Sequence, residues 1–219
     1  MKSHNLSTNQ NTIKLTVCAV MVAMSTVLSL ITPFHLPYGG SVTLFSFVPI
    51  LFTGYAYGLK WGISSGIIYG ILQTVLGISA AVAGAGFKWW QVLLCALLDY
   101  IVAGAMLGIA GMLKKAGRSH RFSFTLGTVI ACLLKYFCHF LSGFILFGGW
   151  AEWFFSEGGG AAYGSAILQT FSGKGLVAIY SLIYNGLFSI PEAILSVIAV
   201  SIIISVKPVK KICEQEKGF

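Results

Sequence analysis

The sequence predicts an all-α integral membrane protein, a six-transmembrane-helix bundle with both termini in the cytoplasm. Three observations carry this. Hydrophobic residues make up 57% of the chain and charged ones only 9%, whereas soluble domains carry about 25% charged residues. Apolar runs of a length suited to a hydrocarbon core about 30 Å thick recur from end to end. Of the fourteen Lys and Arg, eleven collect on one side once those runs are threaded through a bilayer. Within 219 residues such a bundle leaves no room for a second, soluble domain.

The elements follow in order. Residues 1–14 are polar and read as a disordered cytoplasmic segment, and Leu15 to Ile31 is the first span. It lacks the small-residue cleavage site of a secretory signal and is retained. Val42 to Tyr57 is the second span, short and interrupted by Pro49; Trp61 to Ala83 is the third and Trp89 to Leu113 the fourth. Phe122 to Gly148 is the fifth, and Leu176 to Val206 the sixth, over-long and broken by Pro191. The membrane domain is therefore expected over 15–206, with a basic cytoplasmic tail at 207–219. The turn at Lys60, the run Lys114 to Arg121 and both termini hold the eleven cationic residues, while the opposite face holds only Lys88 and Lys174. That bias sets the orientation. It also accounts for the net charge of +8 without nucleic acid, leaving anionic-lipid contact as a minor addition.

Two outer connections stand out. Pro33 to Ser41 is rich in turn-forming residues and suits a lid over a cavity mouth. Trp150 to Gly175 carries an aromatic WAEWFF run, a Gly-Gly-Gly break and a segment suited to a short helix on the membrane surface. It reads either as an interfacial anchor or, through Trp150, as a ligand contact.

Inside the membrane the polar residues are few. Charge near the bilayer centre costs about 2.5–3.5 kcal/mol on insertion scales, so each one is a candidate site residue. Lys135, His139, Ser142 and Leu146 lie within about 40° of one line on a helix. At 1.5 Å per residue, Asp99 lies about 12 Å below the outer end of its span, and His139 and Asn185 lie about 13 Å below theirs. Three polar groups from three helices thus share one level. They form either a pocket open to the outside or a hydrogen-bond network that locks the helices. Lys135 and Glu192 lie deeper, about 20 and 24 Å down. They suit an ion pair closing the floor, with ligand contact as the alternative for Lys135. Tyr100, Tyr180, Tyr184, Phe147 and Trp150 cluster at or above the level of the trio. Aromatic faces beside a carboxylate suit a flat, cationic, nitrogen-rich ligand.

The five cysteines lack metal or redox spacing, and no metal ligands or cofactor are expected. The GxxxxGK[ST] phosphate loop is also missing, so ATP hydrolysis would fall to other subunits. Ala19 and Ala23 give the first span a small-residue ridge that permits close helix approach.

The runs PYGGSVTLFSFVPIL, LLDYIVAGAMLGIAG, LLKYFCHFLSG and IYSLIYNG, in this order, resemble the thiamine-specific substrate-binding S components of energy-coupling-factor transporters. The resemblance spans about Leu15 to Val206. It implies a six-helix bundle in the plasma membrane with an outward-facing vitamin site under a mobile first outer loop. By motif, Asp99, Tyr100, Lys135, His139, Tyr180 and Asn185 would contact thiamine, with Phe147 or Trp150 supplying an aromatic face. Asp99, His139 and Asn185 would recognise the aminopyrimidine. Ala19 and Ala23 would dock on a transmembrane coupling subunit energised by two ABC-type ATPases. Asp99 stands where some relatives carry Glu, and Gly40 to Leu44 lacks the Trp and Glu of other members. The competing readings are a stand-alone proton-coupled transporter, the same architecture serving another vitamin, and an intramembrane enzyme using His139 and Asp99. No nucleophile or metal constellation favours the enzyme.

Overall fold

The computed structural model describes residues 2–36, 40–82 and 85–215. Ten helices and a small hairpin are defined among them. Helix α1 (Lys2–Ser29) is followed by strands β1 (Phe34–His35) and β2 (Ser41–Val42), which pair antiparallel. Then come α2 (Val48–Tyr57), α3 (Leu59–Val82) and a composite fourth span. That span consists of α4 (Trp89–Cys95), a π-helical stretch Ala96–Val102, α5 (Ala103–Leu107) and a 3₁₀ turn Gly108–Gly111. The remaining helices are α6 (His120–Leu146), the short α7 (Ala151–Ser156) and α8 (Ala161–Thr170), α9 (Gly173–Ile203) and α10 (Lys207–Gln215).

Five segments are long and apolar enough to cross a membrane: Gln10–Ser29, Leu59–Ser79, Trp89–Leu113, His120–Leu146 and Gly173–Ile203. Their outward faces are apolar and uncovered, with Val75 75% and Ile202 62% exposed, as lipid-facing surfaces are.

The structure corrects several expectations. The second apolar run is not a full-length helix. Phe45 takes a left-handed φ of 62°, a conformation unfavourable for an aromatic residue inside a helix. Pro49 then sits in the first turn of α2, where its missing N–H is harmless. Gly58, at φ 91°, ends the helix and hands the chain to α3. Ten residues reach only about 15 Å, half a bilayer, and every one of them is buried. At the N-terminus helix begins at Lys2, so residues 2–14 continue α1 instead of forming a separate irregular segment. A span that has already nucleated extends by one hydrogen bond per residue. Pro191 does not break the last span, and α9 runs through it. Neighbouring helices and hydroxyl side chains make such prolines tolerable in membrane helices.

Glycines set the closest packing. A Cβ on Gly66 would stand 2.2 Å from the carbonyl oxygen of Gly104, and one on Gly108 2.2 Å from that of Gly62. Thus α3 and the fourth span meet backbone to backbone, the close approach that small residues allow. Along the other side, α6 packs on α9. Between them these contacts hold the fourth, fifth and last spans around one interior.

At the end of the bundle bearing α10, Tyr55 stacks on Phe124 with ring centroids 4.3 Å apart. Its hydroxyl bonds the carbonyl oxygen (3.0 Å) and Nδ1 (2.9 Å) of His120, and Lys114 donates to the carbonyl of Ala56 at 2.9 Å. Cys213 of α10 is fully buried against this cluster. Burial, and secondarily Glu214, pushes its thiol up to about 11 despite the opposing Lys114. The thiolate is the nucleophile. In a variant retaining Cys213 alone, maleimide at neutral pH should label the folded protein roughly tenfold or more slower than the denatured chain. Equal rates would show that α10 does not stay docked.

Candidate functional site

The interior between the hairpin, α3, the fourth span, α6 and α9 holds a cavity that opens at its mouth. Asp99 enters it from the π-helical stretch Ala96–Val102. Such stretches widen the turn and recur at functional sites. Lys135, His139 and Gly143 come from one face of α6, and Tyr180, Tyr184, Asn185, Phe188 and Glu192 from α9.

Asp99 is the centre of the polar network. Its Oδ1 accepts from His139 Nδ1 at 2.9 Å, and its Oδ2 accepts from the Ser142 hydroxyl and, at 3.4 Å, from Cys95 Sγ. On the other side of the imidazole, Lys135 Nζ lies 2.7 Å from His139 Nε2. An ammonium can only donate, so Nε2 is the acceptor and the ring proton sits on Nδ1, pointing at Asp99. His139 is therefore neutral and its tautomer is set from both sides.

Asn185 donates through Nδ2 to the carbonyl of His139 (3.2 Å) and to Ser181 (O at 2.8 Å, Oγ at 3.2 Å). Its Oδ1 is left to face the cavity. The three polar residues placed at one depth by the sequence are thus brought together by direct contacts: Asp99 to the His139 ring, and Asn185 to the His139 backbone. Gly143 makes this possible, because a Cβ there would stand 2.3 Å from Ser181 Oγ and 2.8 Å from Asn185 Nδ2.

The ion pair expected at the floor does not form. Lys135 is spent on His139 and lies over the Phe47 ring at 4.4 Å. Glu192 instead accepts from Thr43, from its amide at 2.9 Å and its hydroxyl at 2.6 Å, both at Oε1. That contact ties the loop after β2 to α9. A second tie is weaker, the Gly40 amide donating to the Tyr184 hydroxyl at 3.4 Å. Of the segment expected to act as a lid, Pro37, Tyr38 and Gly39 lie outside the described residues; the flanking strands form the hairpin.

Among the sequence candidates, Asp99, Tyr100, Lys135, His139, Phe147, Tyr180 and Asn185 all line the cavity. Trp150 does not. It stands in a 3₁₀ turn with its ring edge-on to Trp153 at 6.1 Å, packed on the Phe154 and Phe155 cluster. Phe147 occupies the rim, 5.0 Å from Phe87. Sequence reasoning missed Phe47, Thr43, Tyr69, Gln73 and Phe188, which also line the cavity. Gln73 was legible as an amide in an apolar run; it bonds Ser29 Oγ at 2.7 Å. Phe47 and Phe188 carried no signal, because an aromatic residue in a membrane helix reads the same whether it faces lipid or cavity. Ala19 and Ala23 both lie on an exposed face of α1, about a third of a turn round from the buried Cys18, Val22 and Ser25.

Comparison with known proteins gives a consistent assignment. The chain is 28% identical over 215 residues to the thiamine transporter ThiT of Bacillus subtilis (strain 168), covering 93% of this chain and 96% of that one. It is 25% identical over 188 residues to the thiamine transporter ThiT of Lacticaseibacillus paracasei, with 80% and 79% covered. The solved structure of ThiT from Listeria monocytogenes superposes with a TM-score of 0.67 at 20% identity, over 93% of this chain and 98% of that one, and shows the shared fold. Residues 15–158, more than half of the chain, match the family described as thiamine transporter protein. With its apolar spans and enclosed polar cavity, the chain is a multi-pass membrane protein of the thiamine transporter family, a family of transport proteins rather than enzymes.

Proposed function

We propose that this chain captures thiamine from outside the cell and acts as the substrate-binding S component of an ATP-driven importer of the energy-coupling-factor type. The observation that carries the reading is the cavity itself: an unbonded amide oxygen on Asn185 and the polarised Asp99–His139–Lys135 chain lie among aromatic rings. That set fits an aminopyrimidine joined to a cationic ring. Asn185 Oδ1 accepts from the exocyclic amine, Lys135 presents its remaining ammonium donors to the ring nitrogens while His139 holds it in place, and Tyr100, Tyr180 and Phe147 supply stacking faces. Trp150 packs, like Phe147, against the cluster of Phe154 and Phe155.

The topology in this reading keeps six crossings and both termini in the cytoplasm. The descending loop 43–47, in which Thr43, Ser46 and Phe47 are buried, and the half-length α2 together make the second crossing, irregular backbone at membrane depth being tolerated where protein covers it. The eleven cationic residues at one face support the orientation. Energy comes from partner subunits: a transmembrane coupling subunit that meets the small-residue face of α1 at Ala19 and Ala23, and two ABC-type ATPases that use the ATP.

A stand-alone proton-coupled transporter is the second reading, favoured by the continuous hydrogen-bonded chain Lys135–His139–Asp99. It predicts uptake without ATPases and sensitivity to an uncoupler. The deciding experiment is titration of the purified chain with thiamine, followed by heat or tryptophan fluorescence, with riboflavin and biotin as controls. Saturable binding of thiamine alone, without ATP, is expected. A folded sample that binds none of the three would end the thiamine reading.

A further inference from the structure

The cavity contains two carboxylates, and their states of use differ. Both oxygens of Asp99 are taken by the protein: His139 occupies Oδ1, and Ser142 and Cys95 occupy Oδ2. Glu192 is 4% exposed, yet both donors it receives, the Thr43 amide and hydroxyl, converge on Oε1. Among the described residues Oε2 has no hydrogen-bond partner, and the residue lines the cavity. In a residue so largely buried, a carboxylate oxygen that receives no donor from the protein is costly unless a cation or a donor in the cavity completes it.

The lining points the same way. Two carboxyl side chains, Asp99 and Glu192, and one amine, Lys135, face the cavity, and Lys135 is already hydrogen-bonded to His139. Aromatic faces that suit a cation stand close by. Phe188 precedes Glu192 by one helical turn, stands edge-on to the His139 ring at 5.5 Å and 6.3 Å from Tyr184.

We propose that Glu192 is the counter-charge for the cationic ring of the ligand, with Oε2 facing that ring across the cavity, and that it rather than Asp99 determines the preference for a charged over a neutral ligand. This rests on the thiamine reading above. Asp99 then serves mainly to hold His139 in its tautomer, while Glu192 reads charge and, through Thr43, couples occupancy of the cavity to the position of the hairpin.

Glu192→Gln separates these roles, since the amide keeps an acceptor oxygen for Thr43 but removes the charge. The purified full chain is titrated with thiamine and with a neutral isostere in which a thiophene ring replaces the thiazolium. The variant is expected to bind thiamine about ten- to a hundredfold more weakly while its affinity for the isostere changes less than about threefold. Equal weakening for both ligands would make Glu192 a loop anchor only and overturn the proposal, as would unchanged thiamine affinity. Should the Gln variant bind neither ligand, Glu192→Asp decides: a retained preference for thiamine over the isostere supports the charge role, and a lost preference overturns it. Failure of the parent chain to bind thiamine would instead remove the thiamine reading and this inference with it.

Discussion

Replacing Asp99 by alanine is expected to weaken thiamine binding by about a hundredfold or more and to destabilise the protein as well, because three donors lose their acceptor at once. His139 Nδ1, the Ser142 hydroxyl and Cys95 Sγ all point at this carboxylate. Each donor left unsatisfied in a buried setting costs about 1–3 kcal/mol. Without Asp99 only Lys135, through Nε2, still fixes the imidazole, and the Nδ1 proton is left without its acceptor. Asp99→Asn is the informative companion. Its amide oxygen still accepts from His139 and its NH₂ donates to Ser142, whose hydroxyl reverses, so the fold should persist and affinity fall by only about tenfold. Calorimetric titration of both variants, with thermal unfolding in the same detergent, checks the pair. An Asn variant as weak as the Ala variant would mean that the negative charge itself, and not the orientation of His139, is what the ligand needs from this residue.

The second large effect lies away from the polar groups. Gly66→Ala should cost about 3 kcal/mol and lower Tm by about 6–12 °C, a scale set by overpacking and by the size of the domain. The added methyl would sit 2.2 Å from the Gly104 carbonyl oxygen and 2.8 Å from its carbon. Backbone cannot step aside as a flexible side chain does, so the whole fourth span must shift. Because Gly104 and Tyr100 line the cavity, thiamine affinity should fall together with stability. Gly149→Ala is the control: nothing lies within 4 Å of a Cβ there, and its Tm should match that of the parent. A Gly66→Ala variant as stable as the control would show that α3 and the fourth span do not meet backbone to backbone.

The candidate site was more legible than much of the fold. Asp99, His139 and Asn185 each interrupt an apolar run, and in a hydrocarbon setting such groups must find partners. Counting residues from the membrane surface was therefore enough to set them at one level, where the structure joins them. For Trp150 the sequence left an interfacial anchor and a ligand contact open, because adjacency to Phe147 says nothing of direction; the turn at Gly148–Trp150 sets its ring against Trp153. The second apolar run was read as a short span interrupted at Pro49 because its composition is that of a span. Only the left-handed Phe45 and the turn at Gly58 shorten it to ten residues.

Glu192 shows the same division. Its cost in an apolar run was visible, and a lysine at similar depth made an ion pair the natural expectation. The structure gives Lys135 to His139 and Glu192 to Thr43, a residue 149 positions away in sequence. By itself the sequence determined that the chain lives in a membrane, where its long spans run and which polar residues need an explanation, since these follow from transfer free energies that act residue by residue. Tertiary structure alone decided which partner each polar group takes, that α2 is a buried half-helix, and that Glu192 receives both Thr43 donors on one oxygen. Those outcomes depend on rotamers, backbone conformation and the close approach of distant segments, none of which a local pattern of apolar and polar residues encodes.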